Sequence, residues 1–315
     1  MSFRAGAGAL LLMLLAGAGA RADEAFVPNQ SSDDLTIVDL GAMTPSATMP
    51  IGGKPAGIAV SRDGATVYVT SPEGHFVSAI DAKARRVVKR IGVPGTPMGV
   101  AVSPDGRRVY VADMYGRDLL EIDVDSEATR RVEIGAMPSG VAATPDGRLV
   151  IAAARDDNAL VILDAASFAR VATLDVGKHP YGVTIDAQGG RAYTANVESD
   201  DVSIVDLAER KLVATVRVGS HPYGVALARG RAFVANQYAE TVSVFDAATF
   251  APLATIKVGE YPESVAASRD GETIYVTNWF SNELWSIDAE TFKILGKAAT
   301  GDGPRAFGAF IRVVD

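Results

Sequence analysis

The chain has 315 residues, no cysteine, 30 Lys and Arg against 38 Asp and Glu, and a formal net charge of −8. Without cysteine it holds no disulfide framework, thiolate metal site, cysteine nucleophile or cysteine-attached haem or lipid. Its acidity argues against broad binding to nucleic acid or an anionic membrane, and at 48% hydrophobic residues it is far too apolar for a disordered chain.

The first predicted element is a targeting segment. Arg4 precedes an unbroken run of small and apolar residues over 5–20, and Ala20-Arg21-Ala22 then gives an A-x-A pattern before Asp23. That is the layout of a secretory signal peptide, and the run is short of the roughly 20 residues that span a bilayer. The expectation is a signal peptide over 1–22 and one domain over 23–315, periplasmic or secreted. No later segment is long and apolar enough to span a membrane. Cleavage would move the formal charge from −8 to −10, because it removes Arg4 and Arg21 and no acid.

Ala25-Phe26-Val27-Pro28-Asn29 and Leu35-Thr36-Ile37-Val38-Asp39 read as the next two strands. From Pro55 onward the same parts recur. Gly99-Val100-Ala101-Val102 is a strand, Ser103-Pro104-Asp105-Gly106 is a turn whose glycine supplies positive φ, and Val109-Tyr110-Val111-Ala112 is a second strand. A third strand ends on an aspartate, as in Val202-Ser203-Ile204-Val205-Asp206, and a fourth follows, as in Val213-Ala214-Thr215-Val216-Arg217-Val218.

Two ladders fix the period. Pro55, Pro97, Pro138, Pro180, Pro222, Pro262 and Pro304 are separated by 40 to 42 residues, and so are Asp39, Asp81, Asp123, Asp164, Asp206, Asp246 and Asp288. Four short strands in each period of about 42 residues match a propeller blade. Strands covered on both faces by neighbouring blades explain the continuous apolar runs. The unit opened by Pro304 has room for one strand, around 307–311, and the N-terminal unit lacks that same strand. The expected fold is therefore an all-β, seven-bladed β-propeller of four-stranded blades, with one blade shared by the two termini.

These residues resemble the YVTN-type propeller repeat. Tyr275-Val276-Thr277-Asn278 is the name-giving tetrapeptide, and Tyr68-Val69-Thr70-Ser71, Tyr110-Val111-Ala112-Asp113 and Phe233-Val234-Ala235-Asn236 are close variants. The resemblance covers essentially all of 24–315. It implies an exported protein. Similar propellers include ligand-binding proteins, accessory proteins near quinone-cofactor dehydrogenases, surface-layer proteins and a few described as DNA-binding.

In such propellers the Pro-x-Gly turns and the turns after the Y-V-x-N strand share one face, where non-repeating residues are the functional candidates. They concentrate in one sector: His179, Tyr181, His221, Tyr223, Tyr261, Glu263, Asn236, Asn278, Trp279 and Arg305. His179 and His221 occupy equivalent turns in adjacent blades. They read as a ligand clamp, as part of a metal site with Glu263 or Glu198 as a third donor, or as the ordinary form of this turn. Asn29, Asn196, Asn236 and Asn278 have the side-chain oxygens that Ca²⁺ takes in lactonase-like propellers, but a strand-ending Asn also satisfies its own turn. Seven copies of an aspartate before a short turn read as caps.

No nucleophile elbow, phosphate loop, H-E-x-x-H or EF-hand loop is present. The expected function is an exported, monomeric binding or scaffold protein for a small molecule or a periplasmic protein partner, with nucleic acid disfavoured. The alternatives are a metal-dependent lactonase- or lyase-like enzyme, and an accessory of a periplasmic quinone-cofactor dehydrogenase. The sequence names no cofactor.

Overall fold

The computed structural model describes residues 23–314, so the expected signal peptide over 1–22 lies outside the described residues. Every regular element in that span is a β-strand. Six sheets have four strands and one has five. Blades 2 to 7 take residues 57–92, 97–133, 138–175, 180–217, 222–257 and 262–299, and blade 1 takes 24–50 plus a strand from the C-terminus. The architecture is the seven-bladed propeller that the period requires. Among the described residues no helix is long and apolar enough to cross a membrane.

Blade 5 shows the plan. Pro180–Ile185 lines the axis, Arg191–Asn196 and Asp201–Asp206 follow outward, and Lys211–Arg217 is outermost. Every pairing is antiparallel, with Arg191 opposite Asp206 and Asn196 opposite Asp201. The two middle strands are buried on both faces by the adjacent blades, which is why they are apolar almost throughout, whereas the outer strand alternates with solvent. Each inner strand thus starts on one face, here the proline face, and ends in the turn on the opposite, Asp-Gly face.

The inner strands approach one another very closely. A Cβ placed at Gly57, Gly99, Gly140 or Gly182 would lie 1.9, 2.0, 2.2 or 2.4 Å from a backbone carbonyl oxygen of the next blade. Only glycine permits that approach. At the same position in blade 7 stands Ser264, whose hydroxyl donates to the Arg305 carbonyl at 2.5 Å. A Cβ at Gly224 would lie 3.3 Å from the Glu263 carbonyl. The ring is therefore tight through blades 2 to 5 and wider between blades 6 and 7.

Closure follows the expected scheme with one difference. The C-terminal strand divides: Phe307–Ala309 pairs parallel with Gly57–Val60 of blade 2, and Ile311–Arg312 pairs with Glu24–Asn29 of blade 1. Arg312 Nη1 reaches Glu24 at 2.6 Å, Arg85 Nη2 reaches the same carboxylate at 2.6 Å, and Arg312 Nε donates to the Gly64 carbonyl at 2.8 Å. A buried carboxylate with two guanidinium partners thus ties both ends of the chain to blade 2.

All seven aspartates of the second ladder accept backbone N–H groups of the turn that follows, for example Asp246 from Ala248 and Thr249 and Asp39 from Ala42. A second set, Asp63, Asp105, Asp146 and Asp270, accepts a Ser or Thr hydroxyl two residues back, each at 2.6 Å. Hydrogen bonds to the ionised form hold Asp63, Asp105, Asp146 and Asp270, and likewise Asp123, Asp164, Asp246 and Asp288, below the ordinary aspartate value. A depressed folded pKa adds stability above the unfolded value, about 3.9, and that stability goes as pH falls through the lower folded value. Thermal melts are thus expected to hold steady down to about pH 5 and to drop steeply below about pH 4. A flat Tm across that window would show that these caps contribute nothing.

Candidate functional site

The proline face is built by two kinds of turn. The residue before each proline adopts left-handed backbone at Lys54, Met137, His179, His221 and Tyr261. At Lys54, His179 and His221 its N–H is anchored by a side chain of the neighbouring turn, Asp33 at 2.7 Å, Asn158 at 2.9 Å and Asp200 at 2.9 Å, while Met137 N–H donates to the Gly116 carbonyl. The residue after each proline turns inward. Ala56, Met98, Ser139, Tyr181 and Glu263 are all buried, and Tyr223 and Arg305 are half-buried.

Those inward residues seal the axis. Tyr181 of blade 5 packs against Tyr223 of blade 6 and Phe307 of the closing strand, each at 4.7 Å between ring centroids. Phe307 pairs with blade 2, which lies across the ring from blade 5, so the Tyr181–Phe307 contact crosses the centre. Arg305 completes the plug. It pairs with Glu263 at 3.2 Å, donates to the Tyr181 hydroxyl at 3.1 Å and to Gln30 Oε1 at 2.9 Å, and lies 5.4 Å from the Trp279 ring. Gln237 Nε2 donates to the other Glu263 oxygen at 2.8 Å.

The electrostatics follow from this burial. Burial pushes the Glu263 carboxyl upward, against the pull of Arg305 and of the Gln237 amide. It also raises both phenols, Tyr181 against the pull of Arg305 and Tyr223 with the help of Tyr181 and Glu263. Burial is the strongest single influence on Arg305 and works against its charge, but Glu263, Tyr181 and Tyr223 together outweigh it and the guanidinium stays protonated. Below the plug a cavity of about 860 Å³ is lined from the Pro-x-Gly glycines to the Asp-Gly turns, and its lining includes no residue of the Arg305–Glu263–Tyr181 network. The axial channel therefore opens toward the Asp-Gly face and is shut at the proline face.

Above the plug, four rings stand in a row across blades 6 and 7. His221 stacks on Tyr238 at 3.9 Å, Tyr238 meets Tyr261 at 5.3 Å, and Tyr261 meets Phe280 edge-on at 4.6 Å. Tyr238 is 54% exposed and Phe280 59%, so the row is open to solvent. On the other side of the face Tyr115 is more exposed, at 74%, but has no ring partner among the described residues.

Of the residues singled out from sequence, His179, His221, Tyr261 and Trp279 reach the surface of this face and Tyr223 and Arg305 lie half-buried beneath them. Tyr181 and Glu263 lie inside the plug. Asn236 and Asn278 are wholly buried within their own blades. Asn236 Nδ2 donates to the hydroxyls of Thr241 and Ser243, and Asn196 makes the same bridge to Asp201 and Ser203. They splice the second strand to the third. They do not converge on the axis, as a channel ion would need. His179 and His221 also keep separate company. His179 Nδ1 lies 2.9 Å from Glu198, while His221 pairs with Ser220 and, at 3.9 Å, with Asp200. Among the described residues no three His, Asp or Glu side chains are placed to hold a metal.

Tyr238, Phe280, Gln30 and Gln237 lie in turns that the sequence assigns to this face, but residue type does not single them out as site candidates. Each stands one or two positions after the strand-ending Asn. That offset was the available signal: the first position points to the plug and the second to solvent.

With this geometry in view, the model of YNCE-like β-propellers matches residues 2–102. No curated protein matches the sequence. The fold itself is widespread, with 1696 solved chains matching it, so it does not choose a function. Among them, a functionally unknown protein from Desulfotomaculum acetoxidans is 16% identical, with a TM-score of 0.80 over 92% of this chain and 98% of that one. A hydrazine synthase chain from Kuenenia stuttgartiensis is 20% identical, with a TM-score of 0.74 over 81% of this chain and 89% of that one. At these identities the likeness is one of fold alone.

Proposed function

We propose that this chain is an exported binding protein of the YVTN repeat type, which holds its ligand or partner on the proline face over blades 6 and 7. The observation that carries this reading is the open row His221–Tyr238–Tyr261–Phe280. Apolar rings left together in water carry a free-energy cost that a bound partner removes. They stand on a rigid scaffold: the turns beneath them are anchored to their neighbours, and a sealed plug backs them. Export rests on the signal-like segment over 1–22. The carboxylates beside the rings disfavour a polyanion such as nucleic acid.

The test is a pair of substitutions. Tyr238→Ala with Phe280→Ala removes two exposed rings and leaves the plug intact, so Tm is expected to move by less than about 2 °C. Hot-spot aromatics typically contribute about 2 kcal/mol or more each. Species that remain bound to the unaltered protein in native mass spectrometry are therefore expected to vanish from the double variant. A species retained in full by the variant would place the binding site elsewhere.

A further inference from the structure

The carboxylates around the aromatic row point to a particular chemistry. Glu260 precedes Tyr261 and is exposed, and the Phe280 N–H donates to the Glu260 carbonyl at 3.3 Å, so this carboxylate is rooted beside the ring row. Asp302, also exposed, accepts from Asn282 in the same turn as Phe280, at 3.1 Å. Neither has a cationic partner among the described residues. Asp200 and Glu198 extend the acidic border past His221 and His179. Lys257 is held by Glu240 at 2.6 Å. The other cations of this border are Lys178, which is exposed, Arg155, which contacts His179 and Asp156, and Arg217, whose guanidinium donates to the Ser199 carbonyl between Glu198 and Asp200. The Asp-Gly face differs: Arg62, Arg107, Arg148 and Arg269 each stand within two residues of the turn aspartate of their blade.

We infer that the ligand of this face is an extended, Lys- or Arg-bearing segment of a partner protein, an inference that rests on the binding role proposed above. Exposed ring faces flanked by carboxylates attract cations twice over, through the ring quadrupole and through charge. Arg305 against Trp279 is an instance within the molecule itself. The form of the surface selects an extended chain. A small ammonium ion is held by rings that enclose it, whereas here the rings run in a line and are open, and the cavity beneath is shut off. Successive basic side chains of one segment would lie along Tyr238 and Phe280, with Glu260 and Asp302 beside them.

The probe is a fluorescein-labelled peptide of about ten residues made of Arg, Lys, Gly and Ser, titrated by anisotropy against the whole folded protein. Its controls are the same peptide with Glu in place of each basic residue, and a neutral hexasaccharide. The basic peptide is expected to bind at least about tenfold more tightly than the acidic one and to weaken as salt rises. Glu260→Gln with Asp302→Asn is expected to weaken it about tenfold. Asp125→Asn with Glu209→Gln, the same charge change on the opposite face, is expected to leave it unchanged. Equal weakening by both pairs, or no preference over the acidic peptide, would overturn the inference. Binding of the neutral sugar alone, lost in Tyr238→Ala with Phe280→Ala, would overturn the basic-segment inference and keep the binding face. Basic-peptide binding that survives every substitution on the proline face would overturn both.

Discussion

Gly99→Ala is expected to cost at least about 3 kcal/mol, while Gly224→Ala is expected to cost less than about 1 kcal/mol. Both glycines hold the same place in the repeat, and neither has positive φ. They differ in what a methyl group would meet. At Gly99 the new Cβ would lie 2.0 Å from the Ser139 carbonyl oxygen, which belongs to the inner strand of blade 4 and cannot swing away. Relief needs movement of a whole strand, and that strand is packed against the next blade. At Gly224 the corresponding distance is 3.3 Å, and a shift of a few tenths of an ångström suffices. Denaturant midpoints of the two variants decide the matter. Equal losses would refute the description of a ring that is tight through blades 2 to 5 and wider beyond.

The wide part of the ring is where the plug carries its charges, and Glu263→Ala is the second large effect. Arg305 would keep its guanidinium in a closed site with its counter-ion gone, and Gln237 would lose its acceptor. Breaking a buried pair from one side typically costs about 3–5 kcal/mol. The side chains are 8% and 16% exposed, so solvent screening offsets little of that. Arg305→Met alone should be comparably severe, because it strands the Glu263 carboxylate. The double change Glu263→Met with Arg305→Met should recover much of the loss, since an apolar plug needs no counter-ion. A double-mutant cycle on thermal unfolding measures this coupling. Losses that simply add would show that the two groups do not act as a pair.

The sequence made the architecture legible because its devices are periodic. The proline and aspartate ladders, the Asp-Gly turns and the incomplete end units each name a structural part, and their agreement leaves one closed ring. The aspartate caps were readable for the same reason: Asp246 and its six counterparts do one local job. The division of the C-terminal strand was not readable, because Phe307 pairs across to blade 2 and Ile311 to blade 1.

The site was legible only as a sector. Which side chain faces solvent depends on alternate positions in a turn, and type alone does not disclose it. His221 and Tyr223 flank one proline, yet left-handed backbone sends His221 outward to Tyr238 while Tyr223 packs on Tyr181. Asn278 and Phe280 are two residues apart, and one is buried while the other is exposed. The plug pairs residues from distant parts of the chain, such as Arg305 with Tyr181 and Gln30, and no local pattern encodes such contacts.

The central claim, that the proline face over blades 6 and 7 is where this protein meets its partner, is tested most directly by a photo-crosslinking scan in the producing cell. The crosslinking residue p-benzoylphenylalanine is placed at Phe280 on the aromatic row, at Leu295 on the outer rim of blade 7, or at Gln188 beside the mouth of the channel. All three positions are exposed. A discrete adduct from Phe280, with little or none from Leu295 and Gln188, is the predicted result. Adducts from Gln188 or Leu295, with none from Phe280, would contradict it and move the binding surface to the channel or the rim.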